Sequence, residues 1–201
     1  MSTYGKPILM TGMSSIINKN NYTKFFEFTP KQGETLINNG WKALFDDDGW
    51  RLFFYNSGTL TLKRGDDLAI DIFAVGGGGG GALYHNGGGN QNWTHWCGGA
   101  GGGGGYTNTV KNQSLEREIS YEITIGAGGA AGTIENGSTI TVPGSDGGAT
   151  SFKILNSGTT MISANGGSGG GKSITSGKNF PNGGDGGSGG GAGGLGYGMY
   201  G

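Results

Sequence analysis

The residues that could do chemistry are few, and most of them interrupt glycine. Gly166-Gly167-Ser168-Gly169-Gly170-Gly171-Lys172-Ser173 has the phosphate-loop spacing G-x-x-x-x-G-K-S. Such a loop holds phosphate with backbone amides and with the N-terminus of the helix that follows. Here Ile174-Thr175-Ser176-Gly177-Lys178-Asn179-Phe180-Pro181 follows, a poor helix former, and no βαβ alternation surrounds it. With 50 glycines in 201 residues such a match arises by chance. Nucleotide binding is therefore not expected. His85, His95 and Cys97 fit no common zinc spacing and lack an evident fourth ligand, so no metal is expected. Cys97 lies two residues from His95, but no third group is apparent to orient the histidine for nucleophilic catalysis. The reading is of a chain that is not an enzyme and carries no cofactor.

Binding chemistry is better represented. Tyr84, His85, Asn86, Asn90, Gln91, Asn92, Trp93, His95 and Trp96 break the glycine between Gly76 and Gly105. Aromatic rings offer large rigid contact area, and amides offer adaptable hydrogen bonds. Two functions fit this loop equally: a recognition face, or a lid in which Trp93 and Trp96 cover the end of a β core. A second candidate loop spans Lys172 to Asn182 and includes Phe180.

These loops depend on the glycine runs being ordered. Glycine loses more backbone entropy on folding than any other residue and buries no side chain in return. A flexible linker is the simplest alternative. However, serine is sparse in the runs, and three of them follow an apolar strand with no polar buffer. Leu68–Val75 enters Gly76–Gly81, Tyr121–Ile125 enters Gly126–Gly132, and Met161–Asn165 enters Gly166–Gly171. The ordered form is the threefold extended helix of polyproline II geometry. Without Cβ atoms, such helices can pack side by side and bond backbone to backbone. Gly103 and Gly169 would sit inside that lattice, while Gly58 reads as a turn residue.

Only 4 prolines are present, which excludes a collagen repeat. A net charge of −1 gives no pull toward nucleic acid or acidic lipid. No apolar run is long enough to cross a membrane, so membrane insertion is not expected. No signal peptide is read at the N-terminus, so the chain is expected to be made in a cytoplasm. The single cysteine cannot form an intrachain disulfide.

Residues 1–48 hold ordinary amounts of glycine and read as an attachment or collar segment. Asp46-Asp47-Asp48-Gly49 reads as a turn, since the EF-hand spacing is not met. Residues 49–201 read as a glycine-rich β domain. Its strands are Arg51–Tyr55, Thr59–Lys63, Leu68–Val75, Ile119–Ile125, Ser138–Val142, Thr150–Ile154 and Thr159–Ser163, with turn residues between them. The one helix candidate lies near Val110–Arg117. The expected fold is mostly β: a β-sandwich or jelly roll feeding packed polyglycine-II helices.

Trp50-Arg51-Leu52-Phe53-Phe54, Ser57-Gly58-Thr59-Leu60-Thr61 and Asp71-Ile72-Phe73-Ala74-Val75 running into six glycines resemble the glycine-rich proteins encoded among phage and prophage tail genes. Tyr121 to Ala130 and Gly147 to Phe152 continue the likeness, which covers about residues 50–171. The chain is similar, more distantly, to the polyglycine-II sandwich of T-even-type tail-fibre tip adhesins. It also resembles the glycine-rich domain of anaplastic lymphoma kinase, from which it departs in having a single cysteine and no secretion signal. In the adhesins, loops between glycine helices contact the host receptor. The resemblance implies a virion protein of a tailed bacteriophage, at the tail fibre or tail tip. Residues 1–48 would dock to another virion tail protein, and a bacterial surface receptor, glycan or protein, would be bound outside. Tyr84, His85, Asn92, Trp93, His95, Trp96 and Phe180 are the candidate receptor contacts. A purely structural tail or head decoration protein is the alternative.

Overall fold

The structure, a computed structural model, describes residues 8–12, 17–47, 49–82, 95–97, 99–132, 143–171, 183–191 and 195–197, with the backbone alone at 95–97 and 195–197. The chain forms two compact units that interleave along the sequence. The first comprises Met1–Gly76, Thr107–Gly126 and Ala149–Asn165; the second comprises Gly77–Tyr106, Ala127–Gly148 and Gly166–Gly201.

The described residues of the first unit form ten strands: β1 (Ile8–Gly12), β2 (Phe26–Pro30), β3 (Trp41–Asp46), β4 (Gly49–Phe54), β5 (Gly58–Leu62), β6 (Leu68–Val75), β8 (Thr107–Leu115), β9 (Ser120–Thr124), β10 (Thr150–Ile154) and β11 (Thr160–Ala164). One helical turn, α1 (Tyr22–Phe25), precedes β2. The strands make two antiparallel five-stranded sheets, in the orders β3-β4-β1-β6-β8 and β11-β10-β9-β5-β2. This is the expected β-sandwich. Strands drawn from residues 8–46 belong to both sheets, and β1 lies at the centre of the first.

Alternation builds the core. In β4, Trp50, Leu52 and Phe54 are buried while Arg51 and Phe53 between them are partly exposed. Ile8, Met10, Ile70, Ile72 and Ala74 join them from the first sheet. Phe26, Leu60, Leu62, Tyr121, Ile123, Phe152 and Ile162 come from the second. Aromatic pairs tie the layers: Phe26 meets Trp50 with ring centroids 5.0 Å apart, and Phe28 meets Phe54 at 5.1 Å. Each such side chain stabilises the fold by about 1.5–3 kcal/mol through burial.

Two sequence expectations fail here. Val110–Arg117 is not helical: β8 runs to Leu115 and pairs with β6, burying Leu115 in the core. Asn112, in left-handed backbone at φ 54°, takes up a register shift in that pairing. Gly58 is not an open turn either. It begins β5, and a Cβ there would lie 2.5 Å from the Thr29 carbonyl oxygen and 2.6 Å from the Phe28 ring. The Ser138–Val142 strand expectation lies outside the described residues.

In the second unit, hydrogen bonds recur with a period of three. The amides of Gly77 and Gly80 donate to Gly148 and Ser145, and those of Gly79 and Ala82 donate to Gly103 and Ala100. The carbonyls of Gly78 and Gly81 accept from Gly129 and Gly132, and those of Gly77 and Gly80 accept from Gly167 and Gly170. Residues three apart therefore face the same neighbour, as the threefold helix requires. The run 77–82 has four such neighbours. It lies antiparallel to 99–105 and 143–148, and parallel to 127–132 and 166–171. The glycine runs are thus packed polyglycine-II helices. Residues 183–191 extend the lattice beside 99–105: Gly184 and Gly187 donate to Gly101 and Gly104, which donate in turn to Gly191 and Ser188.

Candidate functional site

Direction in the lattice fixes where its loops depart. Ala82 bonds to Ala100, Gly132 to Gly81, Gly144 to Gly170, and both Gly184 and Gly191 to Gly101. These residues therefore share one end of the lattice. The segments 83–98, 133–142 and 172–182 all leave and re-enter the described structure at that end. Ala82 N–H to Ala100 O, at 2.8 Å, closes the base of the first segment. Below it no side chain larger than serine, aspartate or alanine intervenes between the glycines.

Of the candidate receptor contacts, His95 and Trp96 lie on a short strand, β7 (His95–Cys97). It pairs antiparallel with β12 (Leu195–Tyr197), placing Trp96 opposite Gly196 and His95 opposite Tyr197. Tyr84, His85, Asn92, Trp93 and Phe180 lie outside the described residues. What the structure brings together is the anchorage of the segment carrying Trp93 and of the segment carrying Phe180. The third segment, 133–142, was missed as a partner because its sequence reads as a strand. Only the lattice register reveals the convergence.

The phosphate-loop match is occupied by this lattice. Gly167 N–H donates to Gly77 O, Ser168 N–H to Asp185 O, Gly169 N–H to Asp146 Oδ1, and Gly170 N–H to Gly80 O. The amides of residues 167–170 are thus already used within the fold.

The first unit carries a concave site that sequence reading did not find. A cleft of about 670 Å³ is lined by Thr11, Gly12, Ile17, Phe25, Trp50 and Leu68 together with Asp46, Arg51, Arg64, Asp66, Asp67 and Asp71. Asp46 pairs with Arg51. Asp67 accepts the Arg117 amide at 2.9 Å, and Asp71 accepts the Asn112 amide at 2.8 Å. Two of its carboxylates thus fix backbone. Trp50 is 1% exposed, and its indole N–H has no acceptor among the described residues. Gly12 must be glycine because a Cβ would lie 2.3 Å from the Trp50 ring. Among the described residues no group of three His, Cys, Asp or Glu could hold a metal ion, and no helix is long and apolar enough to cross a membrane.

A family model described as a glycine-rich domain matches residues 56–201, well over half of the chain. Comparison with curated proteins and with solved structures returned no match.

Proposed function

From the premise that the chain belongs to the glycine-rich domain family, we propose that it is a non-enzymatic virion protein of a tailed bacteriophage, placed at the tail fibre or tail tip, where it binds a bacterial surface receptor. The observation that carries this reading is the departure of three loop segments from one end of a lattice nearly devoid of side chains. A lattice made almost wholly of backbone offers few groups for selective contact. It does offer a rigid mount on which loops can vary without disturbing what holds them. Of these segments, 83–98 holds Tyr84, Trp93 and Trp96 with Asn86, Asn90, Gln91 and Asn92, a composition suited to stacking on sugar rings and bonding to their hydroxyls. Residues 1–48 supply surface for docking to another tail protein.

The test is adsorption of the purified, labelled protein to bacterial cells and to their extracted surface glycans. Saturable binding is expected, and replacing both Trp93 and Trp96 with Ala should abolish it with little change in melting temperature. Loss of folding in that variant would instead assign the tryptophans to a lid. Unchanged folding with unchanged adsorption would remove them from the contact face and leave Lys172–Asn182 as the candidate.

A further inference from the structure

The two sheets of the first unit treat their outer faces differently. On the second sheet the outward residues are Thr59, Thr61, Ser120, Glu122 and Lys153, a polar set. That is the ordinary condition of an antiparallel sheet with one face in water. The first sheet departs from it. Register places Phe53, Leu9 and Phe73 side by side on β4, β1 and β6, facing away from the buried Leu52, Met10 and Ile72. Phe73 is 36% exposed, and Phe53 and Leu9 are partly exposed. The next outward row is Arg51, Thr11 and Asp71. An apolar row and a charged row therefore cross the three central strands.

We propose that this face is where a second copy of the chain packs, about a twofold axis running close to β1. The argument is the symmetry of the two rows. β1 is the middle strand of five, with β4 on one side and β6 on the other. A twofold axis along it, lying between two facing sheets, brings β4 of one copy over β6 of the other. Arg51 then meets the partner's Asp71, Phe53 meets the partner's Phe73, and Leu9 and Thr11 meet their own equivalents. A twofold axis across the strands would instead lay the charged row over the apolar row. Only the first arrangement matches opposite charges and buries the aromatic row at once, and both matches occur twice by symmetry. Facing sheets cross at about 30°, so the axis is inclined to β1 by about half that. The Arg51 row also lines the cleft described above, so a second copy seated here covers that side of it.

The interface is small. Five strands about 4.8 Å apart, each of about five residues at 3.4 Å, span roughly 24 by 17 Å. That is the size range of weak, transient association. This inference is independent of what the loops bind.

Sedimentation equilibrium of the full chain from about 5 µM to 1 mM tests it. A monomer–dimer equilibrium is expected. Phe73→Lys should leave a monomer throughout, with its fold retained by circular dichroism. Arg51→Glu alone and Asp71→Lys alone should each associate at least tenfold more weakly, because each sets like charges against one another. An equimolar mixture of these two variants should recover association, since the mixed pair restores opposite signs at both charged contacts. A wild-type chain monomeric to 1 mM overturns the proposal. So does a dimer indifferent to these substitutions, or a mixture no stronger than its components.

Discussion

The Gly79 amide donates to the Gly103 carbonyl at 2.8 Å, and three residues on, Ala82 donates to Ala100 at the same length. Helices of this kind approach so closely that at many of their glycines no Cβ fits. A Cβ on Gly103 would lie 2.1 Å from the Asp185 carbonyl oxygen, and one on Gly169 would lie 2.0 Å from that of Gly144. These obstacles are backbone and cannot turn aside. Overpacking a core costs about 1–3 kcal/mol where side chains can adjust. Gly103→Val and Gly169→Val should therefore cost at least the upper end of that range or prevent folding. A Cβ on Gly189, by contrast, would meet no atom within 4 Å. Gly189→Ala should be neutral or raise stability by about 0.4–1 kcal/mol through the unfolded chain. Urea denaturation of the three variants checks this. Equal, small losses at all three sites would contradict a packed lattice.

The same bonds predict slow amide exchange. Gly77, Gly79, Gly80 and Ala82 each donate within the lattice at 2.8–2.9 Å. Their protons should exchange only as fast as the lattice opens, far more slowly than those of an unstructured glycine peptide. Mass-resolved hydrogen exchange over this run measures it directly. Exchange complete within the dead time across residues 77–82 would mean that the helices are not held.

Much of the sandwich is legible in the sequence, and the lattice register is not. Leu68–Val75 and Thr150–Ile154 are read with the bounds they adopt, because apolar alternation and flanking turn residues mark them. β1 is harder to recognise as a central strand, since its partners at 50–54 and 70–73 are far away in sequence. The helix expected near Val110–Arg117 fails because its polar, exposed residues follow neither period clearly. Pairing with β6 decides the matter. The neighbours of each glycine helix could not be read at all. Side chains carry pairing information, and glycine has none. For the same reason the common origin of the segments holding Trp93 and Phe180 emerges only from hydrogen bonds. The cleft beside Trp50 stayed hidden because β1, β4 and β6 assemble it from three separate stretches.

Asn56 anchors the loop that leads into β3. It is 4% exposed; its Oδ1 accepts the Ile37 amide at 2.9 Å, and its Nδ2 donates to Thr35 O at 2.9 Å and Glu34 Oε2 at 3.2 Å. Glu34 Oε2 also accepts the Ser57 amide at 2.9 Å. Asn56→Ala strips partners from a part-buried amide and carbonyl, and should cost about 1–3 kcal/mol. Asn56→Asp keeps the acceptor for Ile37 but sets a second carboxylate beside Glu34. Its deficit should shrink as pH falls through the carboxylate range, where protonation relieves the repulsion. Denaturant midpoints at pH 7 and pH 4 separate the two variants. A loss that does not depend on pH in Asn56→Asp would argue against the contact with Glu34.

Tyr121 gives the fold an alkaline limit. Its ring is fully buried and stacks on Phe152 with centroids 5.0 Å apart. Burial pushes the phenol above its ordinary value of 10.0; the Glu116 amide bonded to the oxygen at 2.7 Å opposes this, and the Glu116 and Asp67 carboxylates add to the rise. The folded chain thus holds the phenolic proton more tightly than the unfolded chain does. Below pH 10 both states keep it, and the contribution to stability is fully present. As pH rises beyond that, the unfolded state ionises first, and stability falls by up to about 1.4 kcal/mol per pH unit until the folded phenol also titrates. Tyr121→Phe has no such loss. At neutral pH it gives up only the bond from the Glu116 amide, on an exposed residue that water can reach, and should be less stable by about 0.5–1.5 kcal/mol. Urea denaturation of both proteins from pH 7 to pH 11.5 should show the two stabilities converging above pH 10. Curves that stay parallel over that range would mean that the buried phenol titrates as it does in the unfolded chain.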